Sequence, residues 1–240
     1  MINVGFENIN SKKVFNILSQ LEASNSKIVI MSHGFRGSSI GPARTFVDFE
    51  KVLVKNNYSV LRFDQPGSGN SDGSYLDSSF NEWVDTIVYF TKKYIKIGYD
   101  VALLGQSMGA SASVIASART ELDGKIKCLL LWVPDPKSDT NIDPDKIFEE
   151  GGQIYKGSFW KQASDSNFYT CLDKFQEGIH LVYGEKDRFI SEAWRNKTIE
   201  IIKGKNQPYM ILKGQDHSPW EYEIAQKVYS EQVNFLKTHL

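Results

Sequence analysis

Hydrophobic positions along the chain follow two rhythms that alternate. Short runs rich in β-branched and aromatic residues, at 27–32 (KIVIMS), 58–63 (YSVLRF), 101–104, 126–133, 179–183 (IHLVY) and 209–212, predict strands. Several are almost continuously apolar, the pattern of strands covered on both faces. Between them lie longer stretches at helical spacing. Phe80, Trp83, Val84, Ile87, Val88, Thr91, Tyr94 and Ile95 fall on one stripe, and Ile224, Ala225, Val228, Tyr229, Phe235 and Leu236 on another. This alternation predicts an α/β protein with a mainly parallel sheet and helices on both faces.

Two stretches depart from that rhythm. Near the start, Val4, Phe6, Val14, Phe15, Ile17 and Leu18 flank a polar turn at 8–13, which predicts an antiparallel hairpin ahead of the parallel strands. Residues 137–178 are too many for a structureless loop in a compact domain. They carry Phe148, Tyr155, Phe159, Trp160, Phe168, Tyr169 and Phe175 in a polar background. The expectation is a small cap or lid at 137–178 on a core formed by 1–136 and 179–240. An ordinary helical excursion with its own small core is the plainer alternative. Internal repeats and low-complexity tracts are not evident.

Composition narrows the partners. A chain of 240 residues, 41% hydrophobic and 24% charged, is the size of one domain. Lys+Arg 28 balance Asp+Glu 29 for a net charge of -1. That balance supplies no broad cationic field for nucleic acid or anionic lipid and leaves a small molecule as the expected partner. Cys128 and Cys171 are too few for a disulfide framework, and Cys128 sits in the apolar run 128–133, where a buried thiol is the ordinary reading. Residues 1–7 lack the basic start and apolar region of a signal peptide, and no apolar run approaches the ~18 residues of a membrane helix. The expectation is a reduced, cytoplasmic protein without stable membrane insertion; a homodimer is compatible with it.

The strongest local signal is Gly105-Gln106-Ser107-Met108-Gly109, directly after the strand at 101–104 and before the helical stretch 110–119. A G-x-S-x-G so placed makes a tight strand-to-helix turn. It holds Ser107 Oγ clear of the sheet edge at a helix N-terminus, where the macrodipole favours developing negative charge. The plainer alternative is a serine that only caps the helix, but a cap needs neither glycine.

At this motif the chain resembles the α/β-hydrolase superfamily, and the resemblance covers nearly all of it. The family order of nucleophile, acid and histidine is matched by Ser107, by Asp187 in Tyr183-Gly184-Glu185-Lys186-Asp187, and by His217 in Gly214-Gln215-Asp216-His217. His33-Gly34-Phe35 resembles the oxyanion loop, and 63–73 (FDQPGSGNSDG) resembles the turn after the fourth strand. Within the superfamily the chain looks most like small intracellular cinnamoyl and feruloyl esterases, with monoacylglycerol-lipase-like enzymes next. The resemblance implies the α/β-hydrolase fold, an eight-stranded, mostly parallel sheet with a small cap insertion. The chain departs from the commonest pattern at Gln106, often His, and at Ala110, often Gly.

A serine hydroxyl needs a base to take its proton as it attacks an acyl carbon. His217 is the candidate, since His33 belongs to the oxyanion loop, His180 lies within a strand and His239 sits near the C-terminal end. Asp187 is the expected orienting acid. Asp135, after the preceding strand, is its rival, and Asp216 is too close in sequence to fold back onto the ring. The N–H of Met108 is one expected oxyanion donor, and the resemblance implies that of Phe35 as the second. His33, Phe35, Arg36, Met108, Phe159 and Trp160 are the expected pocket. Within it His33 shapes the loop rather than acting as a second base, and Arg36 is read as a solvated arginine or a contact for a substrate anion.

Asp64 and Asp72 read as turn residues rather than metal ligands. Gly67-Ser68-Gly69-Asn70-Ser71 neither opens a helix nor carries the lysine of a phosphate loop. No cofactor or metal is expected. The resulting expectation is a serine ester hydrolase acting through an acyl-enzyme on small or aromatic, cinnamoyl-like acyl esters. Thioesterase, monoacylglycerol lipase and aminopeptidase are alternatives with the same triad, and a non-catalytic ligand-binding relative is an alternative of another class.

Overall fold

In a computed structural model that describes residues 1–21, 26–137 and 141–240, the chain enters its sheet as a hairpin. β1 (Ile2–Ile9) and β2 (Lys12–Ser19) pair antiparallel with Ile9 opposite Lys12. Asn10 and Ser11, at φ 48° and 66°, form the two-residue turn. Two positive φ values make the mirror-image turn that suits strand twist, and Asn accepts such a conformation readily. The polar stretch 8–13 predicts a wider turn; the pairing instead runs on through Asn8 and Lys13.

β3 (Lys27–Ser32), α1 (Thr45–Lys55), β4 (Ser59–Phe63), α2 (Phe80–Lys96), β5 (Asp100–Gln106), α3 (Met108–Ser117) and β6 (Ile126–Trp132) then alternate. After β6 the chain leaves the sheet. β7 (Ile147–Glu150) and β8 (Gln153–Lys156) make a separate antiparallel hairpin, followed by α4 (Ser158–Asp165) and α5 (Phe168–Lys174). β9 (Gly178–Gly184), α6 (Glu192–Gly204), β10 (Tyr209–Leu212) and α7 (Tyr222–His239) complete the chain. The stretch 137–178, expected to form a cap, therefore holds a hairpin and two short helices; residues 138–140 lie outside the described residues.

The sheet has eight strands in the order β1-β2-β4-β3-β5-β6-β9-β10. It is antiparallel across β1, β2 and β4 and parallel from β4 to β10. All of β4 and β9 and all but one residue each of β3, β5 and β6 are buried. Since successive side chains point to opposite faces, helices must cover both. α2 packs beside α3, and α1 beside α7. Trp132 at the end of β6 meets Phe46 and Phe49 of α1 and Tyr229 of α7 at ring distances of 5.8, 5.6 and 5.9 Å.

The central helix α3 is buried along its whole length, which its run of Gly109, Ala110, Ser111, Ala112 and Ser113 permits by keeping side chains small. Ser79 caps α2 by accepting the Glu82 N–H at 3.3 Å, the spacing of a capping box. Cys128 is fully buried, and burial pushes its thiol pKa well up. Among the described residues no helix is long and apolar enough to cross a membrane.

Candidate active site

The turn between β5 and α3 is built around Ser107. Its backbone lies at φ 54°, ψ -124°, a conformation that costs a non-glycine residue ~1–3 kcal/mol and needs its surroundings to hold it. Three bonds do so. Ser107 N–H donates to the Trp132 carbonyl of the neighbouring strand at 2.8 Å, while its own carbonyl accepts from Ala110 and Ser111 at 2.9 and 3.2 Å. The glycines on either side are there for contact. A Cβ on Gly105 would lie 2.3 Å from Ala110 Cα, and one on Gly109 2.2 Å from the Ser32 carbonyl oxygen. Among the described residues the Ser107 hydroxyl makes no helix-capping bond. The plain capping role therefore does not account for this serine.

The loops after β9 and β10 bring an acid to a histidine. His217 Nδ1 and Asp187 Oδ2 are 2.8 Å apart. The other oxygen of Asp187 accepts the N–H groups of Phe189 and Ile190 at 2.9 and 3.0 Å, so the carboxylate is fixed by its own loop. Asp216 locks the two loops together rather than reaching the ring. Its Oδ1 accepts from the backbone of His217 at 2.7 Å and of Arg188 at 3.0 Å, and Oδ2 pairs with Arg188 Nε at 2.5 Å.

Ser107 and His217 line one cavity of about 750 Å³. Of the side chains expected there, Phe35, Arg36, Met108 and Trp160 line it, while His33 and Phe159 do not. Both of those are completely buried. His33 Nε2 accepts the Gln65 N–H at 2.9 Å, which puts the ring proton on Nδ1, and Nδ1 donates to the Gly34 carbonyl at 2.8 Å. Burial lowers the His33 pKa against that hydrogen bond and the nearby Asp64, so the ring stays neutral and shapes the loop. Phe159 lies beneath the cavity wall, packed 4.9 Å from Phe35 and 5.1 Å from Trp83. Sequence alone does not say which face of a loop or short helix meets the cavity.

Of the aromatic side chains of 141–177, Tyr155, Phe159 and Trp160 pack against Phe35 in the loop after β3. The Phe35 ring meets Tyr75, Tyr155 and Trp160 at 5.1, 4.9 and 4.5 Å. Arg36 is bound rather than free: its guanidinium pairs with Glu150 of β7 at 2.8 Å, and its N–H donates to the Tyr75 hydroxyl. Phe148 and Tyr155, two aromatics of the expected cap, also line the cavity, as do Glu150 and Phe189, for which the sequence carries no signal. The signal available for the hairpin was Gly151-Gly152 between extended runs, and both glycines take positive φ, 58° and 77°.

Asp135, the alternative acid, lines the same cavity but is not the hydrogen-bond partner of His217; its Oδ1 accepts the Lys137 N–H at 3.0 Å. Burial pushes its carboxyl up to about 6, against the lowering effect of Lys137. A raised carboxyl pKa means that the folded state binds the proton more tightly than the unfolded chain. The stabilisation is complete below the unfolded value near 4 and is lost as pH rises through about 6. Asp135→Asn keeps the acceptor and removes the charge. It should raise unfolding stability at pH 8 by about 1–3 kcal/mol and have no such effect at pH 3.5. Urea unfolding at the two pH values checks this; equal effects at both would show that the charge is not strained.

Asp64 and Asp72, expected to serve local turns, instead tie their loop to other parts of the chain, apart from the Asp64–Asn70 bond. Asp64 accepts the N–H groups of Ser39 and Asn70 at 2.6 and 2.8 Å, and Asp72 that of Lys13 at 2.9 Å. Among the described residues no cluster of three or more His, Cys, Asp or Glu is arranged to hold a metal.

Comparison with known proteins adds a family and a fold. The family described as serine aminopeptidase, S33, matches residues 23–149, just over half of the chain. No curated protein sequence matches. Among solved structures, Est1E from Butyrivibrio proteoclasticus, with ferulic acid bound, is 21% identical with a TM-score of 0.80, covering 95% of this chain and 97% of its own. A monoacylglycerol lipase from Paleococcus ferrophilus is 21% identical with a TM-score of 0.72, covering 89% and 95%. The Pyrococcus furiosus esterase Pf2001 is 20% identical with a TM-score of 0.72, covering 100% and 93%. At these identities the likeness is one of fold.

Proposed function

This chain belongs to the serine aminopeptidase S33 family of α/β-hydrolases, and we propose that it is a serine ester hydrolase with Ser107 as nucleophile, His217 as base and Asp187 as orienting acid. The observation that carries the reading is the His217–Asp187 pair at 2.8 Å opening onto the cavity that Ser107 also lines. With Nδ1 committed to Asp187, Nε2 is the ring nitrogen left to take the Ser107 proton. Ser107 Oγ attacks the acyl carbon, and the carbonyl electrons move onto oxygen. The N–H groups of Met108 and Phe35 stabilise that oxyanion, each donor being worth ~10² to 10³ in rate. Collapse expels the alcohol, which leaves with the proton from His217. Water then attacks the acyl-enzyme with His217 again as base, releasing the acid and restoring Ser107.

The cavity walls support small or aromatic acyl groups. Phe35, Met108, Phe148, Trp160 and Phe189 give it aromatic and apolar surface beside polar groups that include Asp135 and Lys137, and the Arg36 and Glu150 charges neutralise each other at 2.8 Å. In this reading β7, β8, α4 and α5 are the cap that shapes the acyl site. The ferulic acid bound to Est1E supports a cinnamoyl-like acyl group. The composition and the two free cysteines support a reduced cytoplasmic setting, and the reaction needs no cofactor.

A second reading, hydrolysis of aminoacyl substrates, is favoured by the family description and by the Asp135 carboxylate in the cavity, which suits an ammonium group. A panel of p-nitrophenyl esters of rising chain length, methyl ferulate, acyl-CoA thioesters and aminoacyl amides separates the possibilities. Methyl ferulate and short p-nitrophenyl esters should exceed the amides and thioesters at least ~tenfold in kcat/KM, as pocket contacts of 1–3 kcal/mol dictate. Preference for aminoacyl amides would establish the second reading, and turnover of thioesters alone would make the protein a thioesterase.

A further inference from the structure

We propose that Gln106 is a positioning residue that ties the oxyanion loop to the histidine loop behind the nucleophile, a role that rests on the hydrolase reading above. Gln106 ends β5 immediately before Ser107, is buried and lines the cavity. The two ends of its amide go to different loops. Oε1 accepts the Gly34 N–H at 3.1 Å, and Nε2 donates to the Ser218 hydroxyl at 3.0 Å. Gly34 precedes Phe35, whose N–H is the proposed second oxyanion donor, and Ser218 follows His217. One planar group thus sets the distance between the electrophilic and the basic halves of the site. The fit is close, since a Cβ on Gly34 would lie 2.7 Å from Gln106 Oε1 and 2.9 Å from Ser107 Cβ.

A primary amide suits this task because it offers an acceptor and a donor at fixed separation, and neither changes with pH. Its removal leaves a buried backbone N–H without an acceptor and frees both loops to shift. A small displacement of the oxyanion donor matters little to ground-state binding, because the charge it meets develops only in the transition state. The loss therefore belongs in kcat rather than KM.

Gln106→Met keeps the length and removes both hydrogen-bonding ends. Kinetics on a p-nitrophenyl ester, normalised to sites titrated with a fluorophosphonate, should show kcat about 10- to 100-fold lower with KM within about threefold. Ser218→Ala should lower kcat about three- to tenfold. The double variant should be no slower than Gln106→Met alone, because both changes break the same bridge. A merely structural role would lower Tm and leave kcat per titrated site unchanged. Active wild type with kcat within twofold in folded Gln106→Met, or losses that multiply in the double variant, would overturn the proposal alone. Should Gln106→Met not fold, an unchanged kcat in Ser218→Ala overturns it. A wild type that neither hydrolyses esters nor labels at Ser107 overturns the hydrolase reading itself, and this role with it.

Discussion

Ser107→Ala is expected to lower kcat for ester hydrolysis about a million-fold, with thermal stability unchanged. The size follows from what is lost: without Oγ no acyl-enzyme forms, and a base positioned for the serine proton has nothing to act on. Stability should hold because the Ser107 side chain caps no helix, while the bonds that fix its strained backbone come from main-chain atoms of Trp132, Ala110 and Ser111. The residual rate reports what the cavity and oxyanion donors supply by themselves. Stopped assays with methyl ferulate beside a thermal melt separate a lost nucleophile from a lost fold; a variant within tenfold of wild type would place the nucleophile elsewhere.

Asp187→Asn should cost about 10⁴ in kcat with little change in KM. The asparagine oxygen can still accept from Phe189 and Ile190, so the loop keeps its shape. Its amide then presents a donor to His217 Nδ1 where the carboxylate presented an acceptor. The ring answers by carrying its proton on Nε2, the nitrogen that must be free to receive one. The same variant decides the standing of Asp135, which shares the cavity and carries a carboxyl pushed up to about 6. If Asp135 were the working acid, Asp187→Asn would keep most of the activity and Asp135→Asn would lose it.

The strands were legible because their composition is extreme. The runs at 27–32 and 209–212 coincide with β3 and β10, and the shorter expectation at 101–104 falls inside β5. α2 and α7 were legible from long apolar stripes. α1 is not legible although Phe46, Phe49 and Leu53 recur at helical spacing, because charged residues crowd the same stretch. One of them, Glu50, is buried and paired with Arg62 at 2.5 Å, a partner that only the folded chain supplies. α6 buries only Thr198 and Ile202, too few to make a stripe.

The candidate site was legible through local chemistry. A glycine-flanked serine between strand and helix, an aspartate after one strand and a histidine after another each occupy a recognisable loop, and the structure brings His217 to Asp187. What sequence could not supply was direction. His33 and Phe159 lie in the right segments, yet one turns inward to the Gln65 and Gly34 backbone and the other packs under Phe35. The Gln106 bridge escaped for a related reason, since its partners stand 72 and 112 residues away along the chain.

The central claim is that Ser107 is an activated nucleophile, and labelling by a fluorophosphonate tests it most directly. Intact-mass analysis and peptide mapping of the folded protein should show a single adduct on Ser107, absent from Ser107→Ala and strongly slowed in His217→Ala. Folded wild type that takes up no label, or takes it up at another residue, would contradict the account.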